Sequence, residues 1–357
     1  MISEATVYAG CVKPLATEDL EHILRHTLPL WDEARGRRIF ISGGTGFFGA
    51  WLLESLAYCN RALNLDLSAT VLSRDPGAFG RRMPHLASEP SIRLLQGDVR
   101  SFEFPARDFE YVIHAAIPTS ADAACQPLDL RSAQIDGMER MLAFAKSRGA
   151  RRFLFTSSGA VYGRQPQSLS HIPEDYLGGP DRLDPKAAYG EGKRVCEQMC
   201  SSSARESDIE FAIARCFAFA GPHLPLDQHF AFGNFIADAL AGRNIAIRGD
   251  GTPMRSYLYA ADLAIWLWTL LLRGPRPGSK LEVFNVGSGE AISIRDLAQA
   301  VIEELDPSLR VEIARKPIAG EPLLQYVPDV QRAATYLDLR PIIGLREAIR
   351  RTAAWHR

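Results

Sequence analysis

The chain has 357 residues, a formal net charge of −1, and 46% hydrophobic and 23% charged residues, which is ordinary for a globular protein with a sizeable core. The balanced charge gives no footprint for nucleic acid or an anionic membrane, and the longest apolar run, Leu263–Leu272, is about half of a bilayer span. Without a secretory signal or cysteines at metal-ligand spacing, we expect a cytoplasmic protein with no metal site.

Residues 1–35 precede the first predicted strand and are predicted to form a helical extension. Thr17 is a candidate cap for a short helix with acidic residues in its first turn. Its apolar stripe consists of Leu20, Ile23, Leu24 and Leu28. We expect this helix to pack on the body of the protein or on a partner subunit.

Strands and helices alternate over residues 36–216. The predicted strands are 38–42, 68–73, 92–97, 111–115, 151–157 and 210–216, and the predicted helices include 48–60, 131–148 and 189–206. This alternation predicts an α/β fold with a Rossmann-type doubly wound parallel sheet. Residues 217–357 form a smaller, irregular substrate-binding region, of which about 262–286 return to the Rossmann sheet.

A glycine-rich turn joins the first strand to the first helix of this predicted domain. Gly43, Gly46 and Gly49 are spaced three residues apart directly after Arg38–Ser42. Gly43 permits the tight turn, Gly46 lets the backbone approach phosphates, and Gly49 lets helix and strand pack closely. Free N–H groups at the helix start would face a dinucleotide pyrophosphate.

Three side chains downstream indicate hydride chemistry on an alcohol or ketone. Tyr189 and Lys193 are four residues apart, so on a helix they share one face. A nearby ammonium favours the phenolate form of a tyrosine, which can then act as a base. Such a pair is common on any helix, but Ser158 ends the buried stretch Phe153–Ser158 at the functional edge of the sheet, where its hydroxyl can hold the reacting oxygen.

Seven short motifs within residues 38–345 form a set. They are Gly43–Gly49, Gly97–Val99, His114–Ala116, Ser157–Gly163, Tyr189–Lys193, Arg215–Pro222 and Arg255–Asp262. As a set they resemble the extended branch of the short-chain dehydrogenase/reductase superfamily, the NAD-dependent epimerase/dehydratase family that acts on nucleotide sugars.

The resemblance implies roles for individual residues. It implies a catalytic triad of Ser158, Tyr189 and Lys193, the last two also touching the cofactor. It implies further cofactor contacts from Gly43, Gly46, Phe47, Phe48, Gly49, Asp98, Val99, Ala115 and Ala116. It implies substrate contacts from Ser120, Ser158, Asn234 and Arg255. A homodimer through helices near 131–148 and 189–206 is a further implication.

Departures from the family pattern narrow the expected reaction. Dehydratases of this family place an aspartate and a glutamate straight after the catalytic hydroxyl, and sugar-acid decarboxylases place a glutamate nearby. This chain has Gly159 and Ala160 there, which are neither acids nor bases. We therefore expect 4-epimerisation or reduction of a 4-keto sugar. Ala218 and Ser256, where the family usually has asparagine and many epimerases have aspartate, leave the sugar open.

The second predicted strand ends in Ser73 and Arg74, where NAD enzymes usually offer an acid to the adenosine ribose. A serine and an arginine suit a ribose 2′-phosphate instead, which favours NADP. Asp75 follows at once and supplies the carboxylate for NAD if the turn is shifted by one residue.

Two side chains near these motifs receive a structural interpretation. Arg82 is read as a solvated charge, and His114 as a buried histidine with satisfied hydrogen bonds.

Our leading hypothesis is an NAD(P)-dependent nucleotide-sugar 4-epimerase in which Tyr189 takes the proton of the 4-hydroxyl. The alternative is an NADPH-dependent 4-keto-sugar-nucleotide reductase. A third hypothesis, a dinucleotide-binding regulatory protein without catalysis, is disfavoured by the intact Ser158, Tyr189 and Lys193.

Overall fold

The computed structural model describes residues 12–116, 127–227, 230–318 and 320–357. The strands are β1 (Arg38–Ser42), β2 (Ser68–Ser73), β3 (Ile92–Gln96), β4 (Tyr111–His114), β5 (Arg152–Ser158), β6 (Glu210–Cys216), β7 (Phe219–Ala220), β8 (Ile245–Ile247), β9 (Met254–Arg255), β10 (Leu258–Tyr259), β11 (Leu281–Val286), β12 (Ile292–Ser293), β13 (Val311–Ile313) and β14 (Gln325–Tyr326). The helices are α1 (Thr17–Thr27), α2 (Trp31–Ala34), α3 (Phe47–Leu63), α4 (Pro76–Arg82), α5 (Pro84–Ala87), α6 (Pro127–Ser147), α7 (Ala188–Glu206), α8 (Ala231–Leu240), α9 (Ala260–Arg273), α10 (Ile294–Leu305), α11 (Gln331–Leu337) and α12 (Leu345–His356).

Seven strands form one parallel sheet in the order β11-β6-β5-β4-β1-β2-β3. The chain builds β2 and β3 on one side of β1 and then β4, β5 and β6 on the other side, so the strand order reverses between β1 and β4. Sheets of this kind bind ligands beyond the carboxyl ends of the strands at such a reversal. The predicted doubly wound Rossmann sheet is confirmed.

The strands of this sheet are short apolar runs because helices cover both of its faces. Four of the five residues of β1 and six of the seven residues of β5 are buried. Three of the predicted strands have the expected bounds, whereas β3 and β4 end one residue early. Strand β5 lies one residue later than predicted, so Ser158 is still inside the sheet, where pairing with Cys216 fixes its backbone.

Helix α9 is buried on every side and packs against α1, α3, β5 and β6. All of its residues except Arg273 are buried, and Trp268 is fully inaccessible to solvent. A helix that is apolar all round belongs in a core. Within the described ranges, neither α9 nor another helix has the length and apolar character needed to cross a membrane.

The chain after β6 returns to the main sheet as β11, and strands before and after β11 form three small sheets. The small sheets pair β7 with β10, β9 with β12 and β14, and β8 with β13. Strand β11 then pairs in parallel with β6 along its whole length, from Leu281 opposite Phe211 to Val286 opposite Cys216. This arrangement holds the small sheets at the carboxyl edge of the main sheet.

Helix α1 packs on α9 through polar contacts that are themselves buried. His22 Nε2 lies 2.9 Å from Asp262 Oδ1, and the Tyr259 hydroxyl donates to Asp19 Oδ2 at 2.7 Å. The prediction that Thr17 caps this helix is wrong: Ala16 occupies the cap position and no side chain caps the helix. The extension is therefore anchored by tertiary contacts rather than by its own cap.

Candidate active site

The glycine turn after β1 leaves no room for side chains. Gly43 adopts a φ of +78°, and a Cβ on it would lie 2.4 Å from the carbonyl carbon of Ala115. A Cβ on Gly49 would lie 2.2 Å from Gly44. Helix α3 starts directly after the exposed Gly46 with no side-chain cap. Uncapped N–H groups beside an open backbone fit a dinucleotide pyrophosphate.

The residues predicted to line the cofactor surround this turn. The segment Ala115–Ala116 follows β4, and Ala115 donates its N–H to the Ser42 carbonyl at 3.0 Å. Phe47 and Phe48 are half-buried in the first turn of α3, and Phe48 packs edge to face on Phe219 with ring centroids 5.2 Å apart. The turn is thus walled by rigid elements on both sides.

The end of β2 presents a cation and a carboxylate that is already engaged. Ser73 is buried at the last position of the strand, and Arg74 is exposed. Asp75 caps α4 by accepting a hydrogen bond from Ala78 N at 2.9 Å. Its Oδ1 is therefore occupied, while the Arg74 guanidinium faces solvent.

Asp98 and Val99, both predicted to contact adenine, follow β3. Arg100 donates to the Asp98 carboxylate through Nε at 2.8 Å and Nη2 at 3.1 Å, and this hydrogen bonding holds the pKa of Asp98 below its usual value. Val99 packs on α6, where a Cβ on Gly137 would lie 3.0 Å from its methyl carbon.

Arg82 also reaches the glycine turn, so its interpretation as a solvated charge is wrong. Its Nη2 donates to the Thr45 carbonyl, and its own carbonyl accepts from Val12 N at 2.8 Å. No local sequence pattern indicates this contact, because 37 residues separate the two partners. Arg82 is an added cation beside the predicted phosphate site.

Ser158 and Tyr189 are brought together by a glycine. The Ser158 hydroxyl, at the end of β5, accepts a hydrogen bond from Ala160 N at 3.2 Å. Helix α7 comes so close to this turn that a Cβ on Gly190 would lie 2.5 Å from the Ala160 carbonyl oxygen. Gly190 therefore lets α7 place the half-buried Tyr189 beside the end of β5.

Lys193 is held almost completely out of water, with 3% of its surface exposed. Its Nζ donates to the Thr156 carbonyl at 2.6 Å and lies 4.9 Å from the Phe155 ring centroid and 5.7 Å from that of Tyr189. Burial lowers the pKa of Lys193 to about 8. The ammonium is still present at neutral pH, one helical turn from Tyr189, where it favours the phenolate.

The buried ammonium predicts a pH-dependent stability difference for Lys193→Met. The folded protein releases the Lys193 proton near pH 8, whereas the unfolded chain keeps it to about pH 10.4, so burial of the charge destabilises the fold below pH 8 and this cost fades as pH rises further. We expect the free energy of unfolding of Lys193→Met minus that of wild type to be about 2 kcal/mol larger at pH 7 than at pH 10, so the variant gains most stability over wild type at pH 7. Urea titrations of the cofactor-free protein measure it, and a pH-independent difference would contradict the buried charge.

His114 is only half satisfied, contrary to expectation. Its Nδ1 lies 2.7 Å from the Ser42 hydroxyl, while its buried Nε2 has no hydrogen-bond partner in the described part of the chain. Its ring stacks on Phe155 at 5.7 Å. Burial, and secondarily the Lys193 charge, lowers the pKa of His114 to about 3, so the imidazole stays neutral.

A half-buried ion pair joins Glu197 of α7 to Arg215 of β6, and the sequence pattern did not indicate it. Glu197 is one helical turn beyond Lys193 and accepts hydrogen bonds from Arg215 and from the Ser157 hydroxyl. Arg215 also donates to the Tyr162 hydroxyl at 2.9 Å. These contacts tie α7 to β5 and β6 and so fix the helix that carries Tyr189.

The predicted substrate residues that the structure describes lie on different elements. Arg255 is half-buried on β9, with its guanidinium carbon 5.9 Å from the Tyr326 ring centroid. Asn234 is half-buried on α8. Ser120 lies outside the described residues.

The parallel sheet, the glycine turn and the group of Ser158, Tyr189 and Lys193 define a dinucleotide-dependent enzyme of the extended short-chain dehydrogenase/reductase type. Comparison with known families gives the particular one. The sequence model of the NAD dependent epimerase/dehydratase family matches residues 39–287, and the chain belongs to that family.

Known relatives carry out different reactions. UDP-glucuronic acid decarboxylase 1 of Arabidopsis thaliana is 31% identical over 318 residues, which are 88% of this chain and 68% of that protein. The solved UDP-glucose 4-epimerase of Thermotoga maritima has a TM-score of 0.73 at 20% identity and covers 89% of this chain and 98% of its own. The structure of MoeE5 with UDP-glucuronic acid and NAD has a TM-score of 0.72 at 23% identity, with 89% and 98% coverage.

Proposed function

We propose that this protein oxidises C4 of a UDP-activated sugar transiently and reduces the 4-keto sugar again, with 4-epimerisation as the leading reaction. The observation that supports the proposal most strongly is that Tyr189 has the buried Lys193 ammonium one turn away and that the next residue, Gly190, packs against Ala160, two residues beyond Ser158. Such a site holds and moves one proton at one oxygen.

Each side chain of the site has a separate task in this reaction. Ser158 donates a hydrogen bond to the C4 oxygen and fixes its position. Tyr189, as phenolate, takes the C4 hydroxyl proton, and the Lys193 ammonium stabilises that phenolate. NAD, when bound at the glycine turn, supplies the hydride acceptor and later returns the hydride. After the keto sugar has rotated in the site to present its other face, Tyr189 gives the proton back to the C4 oxygen.

Decarboxylation is the second candidate, and the relatives favour it. The absence of an acid at Gly159 and Ala160 weighs against elimination of water, because the leaving hydroxyl needs a proton. It weighs less against loss of CO2. A uronic acid oxidised at C4 is a β-keto acid, which releases CO2 from C5 without a side chain to protonate a leaving group. The same Ser158, Tyr189 and Lys193 would serve both reactions.

We propose NAD as the cofactor, in keeping with the family, and retain NADP as the alternative. Two observations are the grounds for NADP. Asp75 uses one carboxylate oxygen to cap α4, which limits its use for a ribose hydroxyl, and the exposed Arg74 suits a 2′-phosphate. The homodimer implied by the resemblance remains a prediction.

One experiment separates these activities. The purified protein is denatured to identify the dinucleotide it releases. The intact protein is incubated with UDP-glucose, UDP-N-acetylglucosamine and UDP-glucuronic acid, and separately with NADPH and a UDP-4-keto sugar. We expect released NAD and a C4 epimer formed with no net change at 340 nm. A UDP-pentose with CO2 would instead identify a decarboxylase, and NADPH consumed in proportion to a keto sugar would identify a reductase. Failure to bind either dinucleotide or to convert any sugar would contradict the proposed function.

A further inference from the structure

Glu54 is a buried carboxylate on α3, outside the predicted catalytic group, and its side chain is 4% exposed. Its Oε2 accepts from Leu15 N at 2.7 Å, and its Oε1 lies 3.1 Å from His85 Nε2 and 3.3 Å from His223 Nε2. These partners come from the segment before α1, from helix α5 and from the loop after β7. Glu54 therefore joins three parts of the chain to the helix that follows the glycine turn.

Both histidines donate to this carboxylate. Burial alone would raise the pKa of Glu54, but hydrogen bonds from His223, His85 and Leu15 N outweigh it and hold that pKa below its usual value. The carboxylate is therefore ionised at neutral pH, and an ionised carboxylate only accepts hydrogen bonds. Each Nε2 thus carries the hydrogen of its contact, and removal of either imidazole leaves a buried charge with one donor fewer.

His223 has a backbone conformation that histidine seldom adopts. Its φ is +67°, in the left-handed region where a Cβ causes strain. Its side chain is 6% exposed, and its ring packs on Trp355 with centroids 4.8 Å apart. The carbonyl of the preceding Pro222 accepts from Trp51 Nε1 at 2.9 Å, and Trp51 is one turn from Glu54 on α3. Two hydrogen bonds with α3 therefore hold the loop in this conformation.

The loop after β7 leads to α8, the helix of the predicted substrate residue Asn234. The loop packs so closely on α8 that a Cβ on Gly233 would lie 2.6 Å from the Pro225 carbonyl oxygen. At the other end of the loop, β7 carries Phe219, which packs on Phe48 beside the glycine turn. The loop therefore connects the wall of the predicted cofactor site with the helix that carries Asn234.

We infer that His223 is a positioning residue for the sugar nucleotide: its hydrogen bond to Glu54 holds the loop after β7 so that Asn234 is placed to contact the diphosphate of the substrate. The inference rests on the proposed function, which supplies the UDP-sugar. A loop that is already held loses little conformational freedom when the substrate binds, which favours binding. The catalytic side chains are on β5 and α7, whereas His223 is bonded to α3, so KM depends on this contact and kcat is nearly independent of it.

His223→Asn tests the inference, because asparagine tolerates the left-handed conformation but is too short to reach Glu54. With UDP-glucose and UDP-glucuronic acid as probes, we expect KM to rise about five- to tenfold, the value of one hydrogen bond. We expect kcat to change less than about twofold and dinucleotide binding to equal that of wild type. His223→Gly takes a positive φ without strain, so it also serves if asparagine disturbs the fold, and it should raise KM equally.

His85→Asn is the matched control, because His85 donates to the same carboxylate oxygen from α5 rather than from the loop. An effect of the Glu54 charge alone would appear in both asparagine variants, whereas we expect His85→Asn to keep KM within about twofold of wild type. An equal rise in KM in the two variants, or wild-type KM in His223→Asn and His223→Gly, would overturn the inference. In those cases the wild type still converts the sugar, so the proposed function stands. A wild type that converts neither probe while binding dinucleotide overturns the proposed function and this inference together.

Discussion

Tyr189→Phe is expected to lower kcat by about 10²–10⁴-fold, because it removes the group that takes the C4 proton. The phenylalanine ring fills the same place at the start of α7, so binding of the dinucleotide and of the sugar nucleotide should be close to that of wild type. The measurement is conversion of the best UDP-sugar substrate, alongside a titration of dinucleotide binding.

The control variant is Tyr336→Phe, which removes a hydroxyl from an exposed tyrosine and should have full activity. Loss of a general base lowers kcat by more than about tenfold. A Tyr189→Phe variant that retained more than about a tenth of wild-type kcat would therefore rule out Tyr189 as the base. A variant that lost dinucleotide binding as well would indicate a structural role for the hydroxyl.

Asp262→Ala is expected to reduce the free energy of unfolding by about 3–5 kcal/mol. The carboxylate is fully buried and accepts from Ile342 N at 2.8 Å, Ile343 N at 2.9 Å and His22 Nε2 at 2.9 Å. Alanine would leave these groups without an acceptor and would loosen both α1 and the segment before α12. The midpoint and the slope of urea unfolding together give the free energy of unfolding and so measure the loss.

Asp208→Ala is the matched control, since Asp208 is fully exposed and pairs with Lys280 at the surface; we expect a far smaller change. Asp262→Asn retains one acceptor oxygen and should fall between wild type and Asp262→Ala. Equal stability of Asp262→Ala and wild type would show that the buried contacts of α1 contribute nothing.

The features that could be predicted from the sequence are local ones. The turn at Gly43 needs a positive φ, and the close approach at Gly49 needs the absence of a Cβ. Both requirements select glycine, so the sequence itself marks the two positions. The strands of the main sheet are short apolar runs because both faces are buried. Tyr189 and Lys193 share a face simply because they are one helical turn apart.

The contacts that could not be predicted join residues far apart in the chain. The Tyr326 hydroxyl reaches the Cys216 carbonyl at the end of β6 because β14 pairs with β9, and nothing in the sequence around Gln325–Tyr326 indicates that pairing. The contact between Arg82 and the Thr45 carbonyl is equally remote, and Arg82 looked like an ordinary surface charge. Thr17 looked like a helix cap, but Ala16 occupies the cap position. Contacts with residues far along the chain, of Asp19 with Tyr259 and of His22 with Asp262, hold α1 in place.

The central claim, that Ser158, Tyr189 and Lys193 support oxidation of the sugar at C4, has one direct test. Protein carrying stoichiometric NAD, in excess over the sugar, is mixed with UDP-glucose or UDP-glucuronic acid in a stopped-flow instrument, and absorbance at 340 nm is followed through the single turnover. We predict a rise and then a decline in wild type, slowed by deuterium at C4, and no rise in Tyr189→Phe. Conversion of the sugar with no change at 340 nm and no effect of deuterium would contradict oxidation at C4.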